Sequence, residues 1–311
     1  MALLEVKGLK KYYKDIKAVD DITFSVERGD LFGLLGPNGA GKSTAISLIA
    51  TLITPLAGSI AYKGVDILAN PAIMRSTLGL VPQEIALYPK LSGRDNLEFW
   101  GKAYGLRGQE LNARIAEVAE LIGIADRLKD KVKKYSGGMQ RRLNIGVALL
   151  HKPEFLIMDE ATVGIDPQSR SYILETVKGL AANGATIIYT SHYIEEVETL
   201  CNKVCIMDKG KIIASGSKEE LIAGIGADYK ITIKTDGQSE KLLERLKELP
   251  CIKVADLTGN EIHLLAKGEE ASGSAILAAI AENGFRLLSY DIEKPNLEAV
   301  FLRLTGRALR D

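Results

Sequence analysis

The stretch Gly36-Pro37-Asn38-Gly39-Ala40-Gly41-Lys42-Ser43-Thr44 decides how this chain is read. It fits the pattern G-x-x-x-x-G-K-[ST] in full. Before it, Leu31-Phe32-Gly33-Leu34-Leu35 is a short apolar run of buried-strand type, and after it Thr44 to Ala50 reads as a helix. A strand, a glycine turn and a helix N-terminus form a site for polyphosphate. Gly36, Gly39 and Gly41 lack a Cβ, so the backbone can bend through left-handed conformations and approach an anion. Successive backbone N–H groups then point into one concavity, backed by the positive end of the helix. Lys42 supplies a point charge for the β- and γ-phosphates, and Ser43 offers a hydroxyl to Mg²⁺. A turn that binds nothing also needs glycines, but it has no use for Lys-Ser directly after them. The loop alone does not separate ATP from GTP, or a kinase from a motor.

The bulk numbers narrow the field. At 311 residues the chain suits two domains better than one. An apolar content of 46% with 26% charged residues describes a soluble globular protein. Lys+Arg and Asp+Glu balance at 40 each, so no global field favours nucleic acid or an anionic membrane. No apolar run approaches the 18 or more residues of a spanning helix, and Met1 to Lys7 lacks the build of a signal peptide. Work at a membrane would therefore require a partner that holds the chain there. Cys201, Cys205 and Cys251 make no even framework. The first two have helical spacing, with no nearby pair to complete a metal site, and read as buried thiols in a reducing cytosol.

Outward from the loop, residues 3–7 and 22–26 alternate as strands. Tyr12 and Tyr13 sit in a basic stretch, where the pattern alone favours an ordinary half-buried tyrosine over an exposed ring that stacks on a base. Pro55 to Ser59 breaks the pattern, Ile60 to Gly64 looks like a hairpin arm, and Leu78 to Pro82 is a strand ending at Gln83. Residues 92–128 are mostly helical, with Ile115, Val118, Ala119 and Ile122 on one face. Ser136 looks like the N-cap of a helix running to about Leu150. Phe155 to Met158 is a strand ending on Asp159-Glu160; Ser171 to Ala182 is helical; Ala185 to Thr190 is a strand ending at Ser191-His192. A helix from Tyr193 to Cys201 and strands 203–207 and 211–214 complete a first unit. Strand and helix alternate from 31 to 190, which predicts a mainly parallel α/β sheet. After a flexible joint at Gly224-Ile225-Gly226-Ala227, the order becomes strand 229–234, helix 239–248, strands 251–257 and 260–266, helix 271–283 and strand 286–292. That predicts a small α+β ferredoxin-like domain, followed by a last helix over 296–305.

Asp159 and Glu160 carry the next chemical signal. An acid at the end of a buried strand, beside the phosphate-loop strand, can hold Mg²⁺, and the adjacent carboxylate can align an attacking water. Phosphoryl transfer needs mainly positioning and charge neutralisation. Gln83 and His192 are expected on the same edge of the sheet, where Gln83 reaches the metal or the water and His192 the γ-phosphate. Ser136-Gly137-Gly138 is a second anion cradle with a Ser cap and an exposed helix dipole. One chain thus has two cradles and one Lys-Ser loop, which suggests a nucleotide held between two chains.

On these residues the chain resembles the ATP-binding cassette (ABC) ATPase subunits, a P-loop NTPase core with a helical subdomain. Gly36–Thr44 matches the Walker A loop, Phe155–Glu160 the Walker B strand and Ser136-Gly137-Gly138-Met139-Gln140 the family signature. Gln83 matches the Q-loop, Gly164-Ile165-Asp166 the D-loop and His192 the switch histidine. Tyr13 falls where the family places its adenine-stacking aromatic. Tyr135 and Ala161 depart from the common pattern, at positions where interface packing is expected to feel them. Pro295 to Gly306 resembles the C-terminal segment of ATPases that drive ABC-2-type exporters.

The resemblance implies a nucleotide-binding domain over 1–222, its helical subdomain at about 84–150, and an accessory domain over 227–311. It implies ATP and Mg²⁺ as ligands. Lys42 and the loop from Gly36 to Thr44, with Tyr13, bind nucleotide; Ser43, Gln83 and Asp159 organise the metal. Glu160, His192 and Gln83 act on the reaction. Ser136, Gly137, Gly138, Gln140 and Asp166 are supplied by the partner copy. The implied partners are a second copy, or a related ATPase, and an integral membrane permease, with the chain at the cytoplasmic face of the membrane and no nucleic acid bound. A soluble switch of the same fold, acting on DNA or the ribosome, is the rival reading. It lacks support in the balanced charge, the single cassette and the absence of long coiled-coil insertions.

Overall fold

Leu31–Leu35 lies inside a six-stranded sheet whose order is Lys211–Ser217, Lys203–Asp208, Leu31–Leu35, Thr186–Ser191, Phe155–Asp159 and Leu78–Val81. The computed structural model describes residues 2–224, 229–236, 240–259, 261–267, 270–282 and 284–305. All strand pairs in this sheet are parallel except the hairpin that joins Lys203–Asp208 to Lys211–Ser217. Every residue of Leu31–Leu35, Phe155–Asp159 and Thr186–Ser191 is buried. Strands covered on both faces read as continuous apolar runs, which is why they were legible.

One expectation is corrected here. The strand ending at Asp159 is not beside the phosphate-loop strand, because Thr186–Ser191 pairs with both and lies between them. Alternation of strand and helix gives the number of parallel strands but not their lateral order. The intervening strand brings Thr190 and His192 into the site.

A second sheet, antiparallel, has the order Ile16–Glu27, Ala2–Tyr13, Ala57–Tyr62 and Val65–Asp66. Its first two strands extend well beyond 22–26 and 3–7, so Tyr12 and Tyr13 close a hairpin. Residues 57–59, expected to break the pattern, begin a strand, in which Gly58 takes φ +99°. The two sheets share a core in which Phe24 stacks on Phe32 at 5.3 Å and Tyr62 on Phe155 at 5.8 Å.

The helical stretch consists of Gly93–Ala103, Gly108–Leu121 and a short turn of helix at Ala125–Arg127. Ile115, Val118, Ala119 and Ile122 are buried along one face. The helix expected from Ser171 begins earlier, at Pro167, with Asp166 as N-cap accepting from the Ser169 N–H at 2.9 Å. Asp-Pro at N-cap and N1 was the available signal. Helices Pro71–Thr77 and Lys218–Gly224 had no expectation attached. Cys201 caps the helix Ile194–Leu200 whereas Cys205 lies in a strand, so their spacing is not helical. Both are buried free thiols, and burial pushes the Cys205 thiol up to about 12.

The chain divides into two units between Lys218 and Glu219. Most of the joint expected at 224–227, beyond Gly224, lies outside the described residues, as does Gly306. The second unit carries an antiparallel sheet of order Ile252–Thr258, Glu261–Ala266, Tyr229–Thr235 and Leu287–Glu293. With helices Glu240–Lys247 and Glu270–Glu282 it follows the strand-helix-strand-strand-helix-strand succession. Ile231, Ile233, Leu242, Leu246, Ile262 and Ile276 form its core.

Candidate nucleotide site

Residues 36–44 turn from the buried strand Leu31–Leu35 into the helix Lys42–Ile49. Gly41 holds φ +104°, and a Cβ there would stand 2.1 Å from the Ala18 carbonyl oxygen. Only glycine fits that pass. Lys42 is 4% exposed; its Nζ donates to the carbonyls of Gly36 at 2.7 Å and Pro37 at 3.2 Å. Burial pulls its ammonium below the ordinary lysine range, opposed by the negative charge of Glu160 and Asp159. Glu160 Oε1 is 3.5 Å from Lys42 Nζ.

Asp159 ends its strand as a buried carboxylate. Thr190 Oγ1 donates to its Oδ1 at 2.6 Å. Burial pushes the Asp159 carboxyl above the usual range, and hydrogen bonds from Thr190 and Ser43 pull it back. Glu160 is also buried and holds φ +48°, a left-handed conformation that a long side chain rarely adopts. Its N–H donates to Thr190 Oγ1 at 2.9 Å, which fixes the bend. The bend places the carboxylate among three side chains. Gln83 Nε2 donates to Oε2 at 2.9 Å, while Lys42 Nζ and His192 Nδ1 stand 3.5 and 3.6 Å from Oε1.

The residues from Asn38 to Thr44, with Ile16, Lys17, Ala18, Gln83, Glu160 and Lys209, line a cleft of about 530 Å³. The structure thus brings together the loop, Ser43, Gln83, Asp159, Glu160 and His192. Tyr13 is not part of that lining. It stands 47% exposed opposite Ile16, which is, and Lys11 Nζ lies 5.4 Å from the centre of its ring.

Ser136, Gly137, Gly138, Gln140 and Asp166 form a different surface. Ser136 caps the helix Gly137–Leu149, accepting from the Met139 N–H at 3.2 Å, and Gln140 Nε2 donates to the Tyr135 carbonyl at 3.2 Å. Gly138 lies against Ser169 and Asp166: a Cβ on it would be 1.9 Å from Ser169 Oγ. The signature turn and the helix starting at Asp166 therefore make one face. Tyr135 is 5% exposed, and its hydroxyl donates to the Arg127 carbonyl at 2.8 Å. It packs inward within this chain, where the sequence departure suggested an effect on interface packing.

Three residues escaped the sequence reading. Thr190 bridges Asp159 and Glu160, as above. Arg141, buried on the signature helix, donates to the carbonyls of Pro82 at 2.9 Å and Gln83 at 2.8 Å, so it holds the Q-loop backbone. A charged residue within an apolar-striped helix was the visible signal for it. Lys209 reaches the cleft from the turn between the last two strands of the sheet, and nothing in its own neighbourhood marked it.

A parallel sheet with a Lys-Ser glycine loop, a strand-end acid pair and a capped glycine turn outside the cleft defines an ATP-binding cassette. Comparison with known proteins agrees. The ABC transporter family model matches residues 19–163. The linearmycin resistance ATP-binding protein LnrL of Bacillus subtilis is 49% identical over 99% of this chain and 100% of its own length. The Nod factor export ATP-binding protein I of Cupriavidus pinatubonensis is 38% identical over 100% of this chain and 93% of its own. A solved ATP-binding subunit of an ABC transporter superposes with a TM-score of 0.66 at 32% identity, over 72% of this chain and 93% of its own. The chain belongs to the ABC transporter family and is an ABC-type ATPase.

Proposed function

We propose that this ATPase is the motor subunit of an exporter, working as two copies that enclose two MgATP and drive a separate integral membrane permease. The observation that carries the reading is a half-site. Lys42, Gln83 and Glu160 line one cleft, with His192 3.6 Å from the Glu160 carboxylate and Asp159 preceding Glu160 in the chain, while the Ser136-Gly137-Gly138 turn with its exposed helix N-terminus lies outside that cleft. A triphosphate bound by one chain keeps charge uncovered that the helix N-terminus at the turn of a second chain, with Gln140 beside it, meets, while Asp166 of that chain lines the same seam.

The residues fit Mg²⁺. A hydroxyl from Ser43, a carboxylate from Asp159 and an amide oxygen from Gln83 are hard oxygen donors, and one or two carboxylates plus phosphate oxygens suffice for that ion. When bound, Mg²⁺ neutralises charge on the β- and γ-phosphates. Glu160 orients the attacking water, His192 donates to the γ-phosphate, and Tyr13 stacks beside Ile16 at the mouth on the adenine. ATP bridges the two surfaces and draws them together, and hydrolysis releases them.

Residues 1–222 act as the nucleotide-binding domain, about 84–150 as its helical subdomain and 227–311 as an accessory domain. Among the described residues no helix is long and apolar enough to cross a membrane. The helical subdomain after Gln83 passes the motion to the permease at the cytoplasmic face. Export is the direction named for one relative, a Nod factor export protein, and the other is named for linearmycin resistance.

The test is Glu160→Gln with ATP. Light scattering after size exclusion is expected to show a stable ATP-bound dimer that the parent forms only transiently. Turnover equal to the parent would remove Glu160 from its role. Pull-down from membranes is expected to recover an integral membrane protein, and recovery of ribosomes instead would contradict the motor reading.

A further inference from the structure

Glu196 is 1% exposed, on the short helix Ile194–Leu200, yet it lies outside the nucleotide cleft. Its Oε2 accepts hydrogen bonds from Thr162 Oγ1 at 2.9 Å, Tyr189 OH at 2.8 Å and Ser191 Oγ at 2.8 Å. Its Oε1 accepts from Arg170 Nε at 2.6 Å. A buried carboxylate is costly unless its lone pairs are filled, and four short charge-assisted bonds fill them. For stability alone, packed apolar side chains serve as well, so such a hub calls for a reason beyond the fold.

The four donors come from three elements that matter to the reaction. Thr162 sits two residues after Glu160. Tyr189 and Ser191 belong to the strand that ends at Ser191, next to His192. Arg170 lies one turn into the helix capped by Asp166. A second layer repeats the connection. The Arg170 guanidinium lies 4.4 Å from the Tyr193 ring centre, and that ring is 4.3 Å from the His192 ring. The Tyr193 N–H donates to Ser191 Oγ at 2.9 Å. His192 Nδ1 is buried and makes no hydrogen bond among the described residues. The imidazole is therefore placed by the tilted contact with the Tyr193 ring and by its backbone, both anchored on Glu196.

We infer that Glu196 is a positioning residue for hydrolysis: its carboxylate fixes His192 relative to Glu160 and links both to the helix that begins at Asp166. The inference rests on the role of His192 given above. Asp166 is the residue proposed to face the partner copy. Docking of that copy would thus reach His192 through Arg170 and Glu196, with no new contact to the imidazole itself.

Steady-state ATPase assays on the full chain test this, with Glu196→Gln, His192→Ala and the double variant. The amide keeps the shape but turns an NH₂ towards groups that donate. Glu196→Gln is expected to lower kcat by about 10- to 100-fold, as a small misplacement does, and to leave KM for MgATP within about twofold. Added to His192→Ala, it is expected to cost no more than about twofold, because residues acting through one another are not additive. Tyr189→Phe removes one donor at constant volume and guards against misfolding of the Gln variant. It should lower kcat less, and likewise only when His192 is present.

If His192→Ala lowers kcat and the second change multiplies the loss, the role of His192 stands and the inference about Glu196 fails. If His192→Ala alone is silent, the reading of His192 falls and takes the inference with it. A rise in KM in step with the fall in kcat, or a loss of MgATP binding in both Glu196→Gln and Tyr189→Phe, would show a purely structural hub and overturn the inference.

Discussion

The Gln83 side-chain amide donates to the Glu160 carboxylate at 2.9 Å, joining the end of the sheet's edge strand to the end of the strand next to it. Its other oxygen faces Lys42 and His192 at 3.5 and 3.6 Å. The carboxylate thus sits between Gln83 on one oxygen and the Lys42–His192 pair on the other. Lys42 meanwhile rests on the carbonyls of Gly36 and Pro37, contacts that a phosphate can replace.

Removing the charge of Glu160 should therefore affect the chemical step and spare binding. Glu160→Gln is expected to lower kcat by roughly 10²- to 10³-fold, within the range for a positioned acid–base group. Titration with a fluorescent ATP analogue should give an affinity near that of the parent.

Lys42→Ala should act on binding. It removes the buried ammonium that a phosphate would meet, worth about 1.5–3 kcal/mol for a charged hydrogen bond, or roughly ten- to a hundredfold in affinity. Calorimetric titration with MgATP checks it. Stability of the nucleotide-free protein should hold, because burial already disfavours that charge.

Gly41→Ala should damage fold and binding together. The residue holds φ +104°, and the new methyl would meet the Ala18 oxygen at 2.1 Å. A strained backbone of this kind costs about 1–3 kcal/mol before the clash is counted. A lower melting temperature and loss of the ATP-induced rise in melting are the expected readings.

Asp159 gives a pH signature. Burial holds its carboxyl above the ordinary value, so the native state binds that proton more tightly than the unfolded chain. Stability from this group is present in acid and lost as the pH rises through the folded value. Asp159→Asn removes the charge while Oδ1 can still accept from Thr190. Without nucleotide, the variant should melt higher at neutral pH by roughly 2–4 °C, the shift that about 1 kcal/mol gives a unit of this size. The gap should close as the pH falls towards the ordinary carboxylate range, and ATPase activity should be lost.

The strands that build the site were legible because each is buried on both faces and reads as an apolar run bounded by polar residues. The candidate site residues were legible where they close such a run, as Asp159, Glu160, Gln83 and His192 do. Lateral strand order was not, since pairing depends on how crossovers pack and periodicity records only burial. Thr190 and Arg141 were missed for a related reason: their partners in the site stand 30 or more residues away in the chain. No local spacing encodes such a contact. The start of the helix at Pro167 was encoded locally, in Asp166-Pro167, and so was open to reading.

The claim that each catalytic site is shared between two copies is tested most directly by mixing two inactive variants. Lys42→Ala disables the loop and leaves the signature turn intact. Gly137→Asp does the reverse: Gly137 is exposed and a Cβ there has open space, with the Gly164 oxygen 4.0 Å away, so the fold is kept while the new carboxylate repels phosphate. The mixture is expected to hydrolyse ATP well above the sum of the two alone, because each mixed dimer regains one intact site. Activity no greater than that sum, at concentrations where mixed dimers form, would contradict the account.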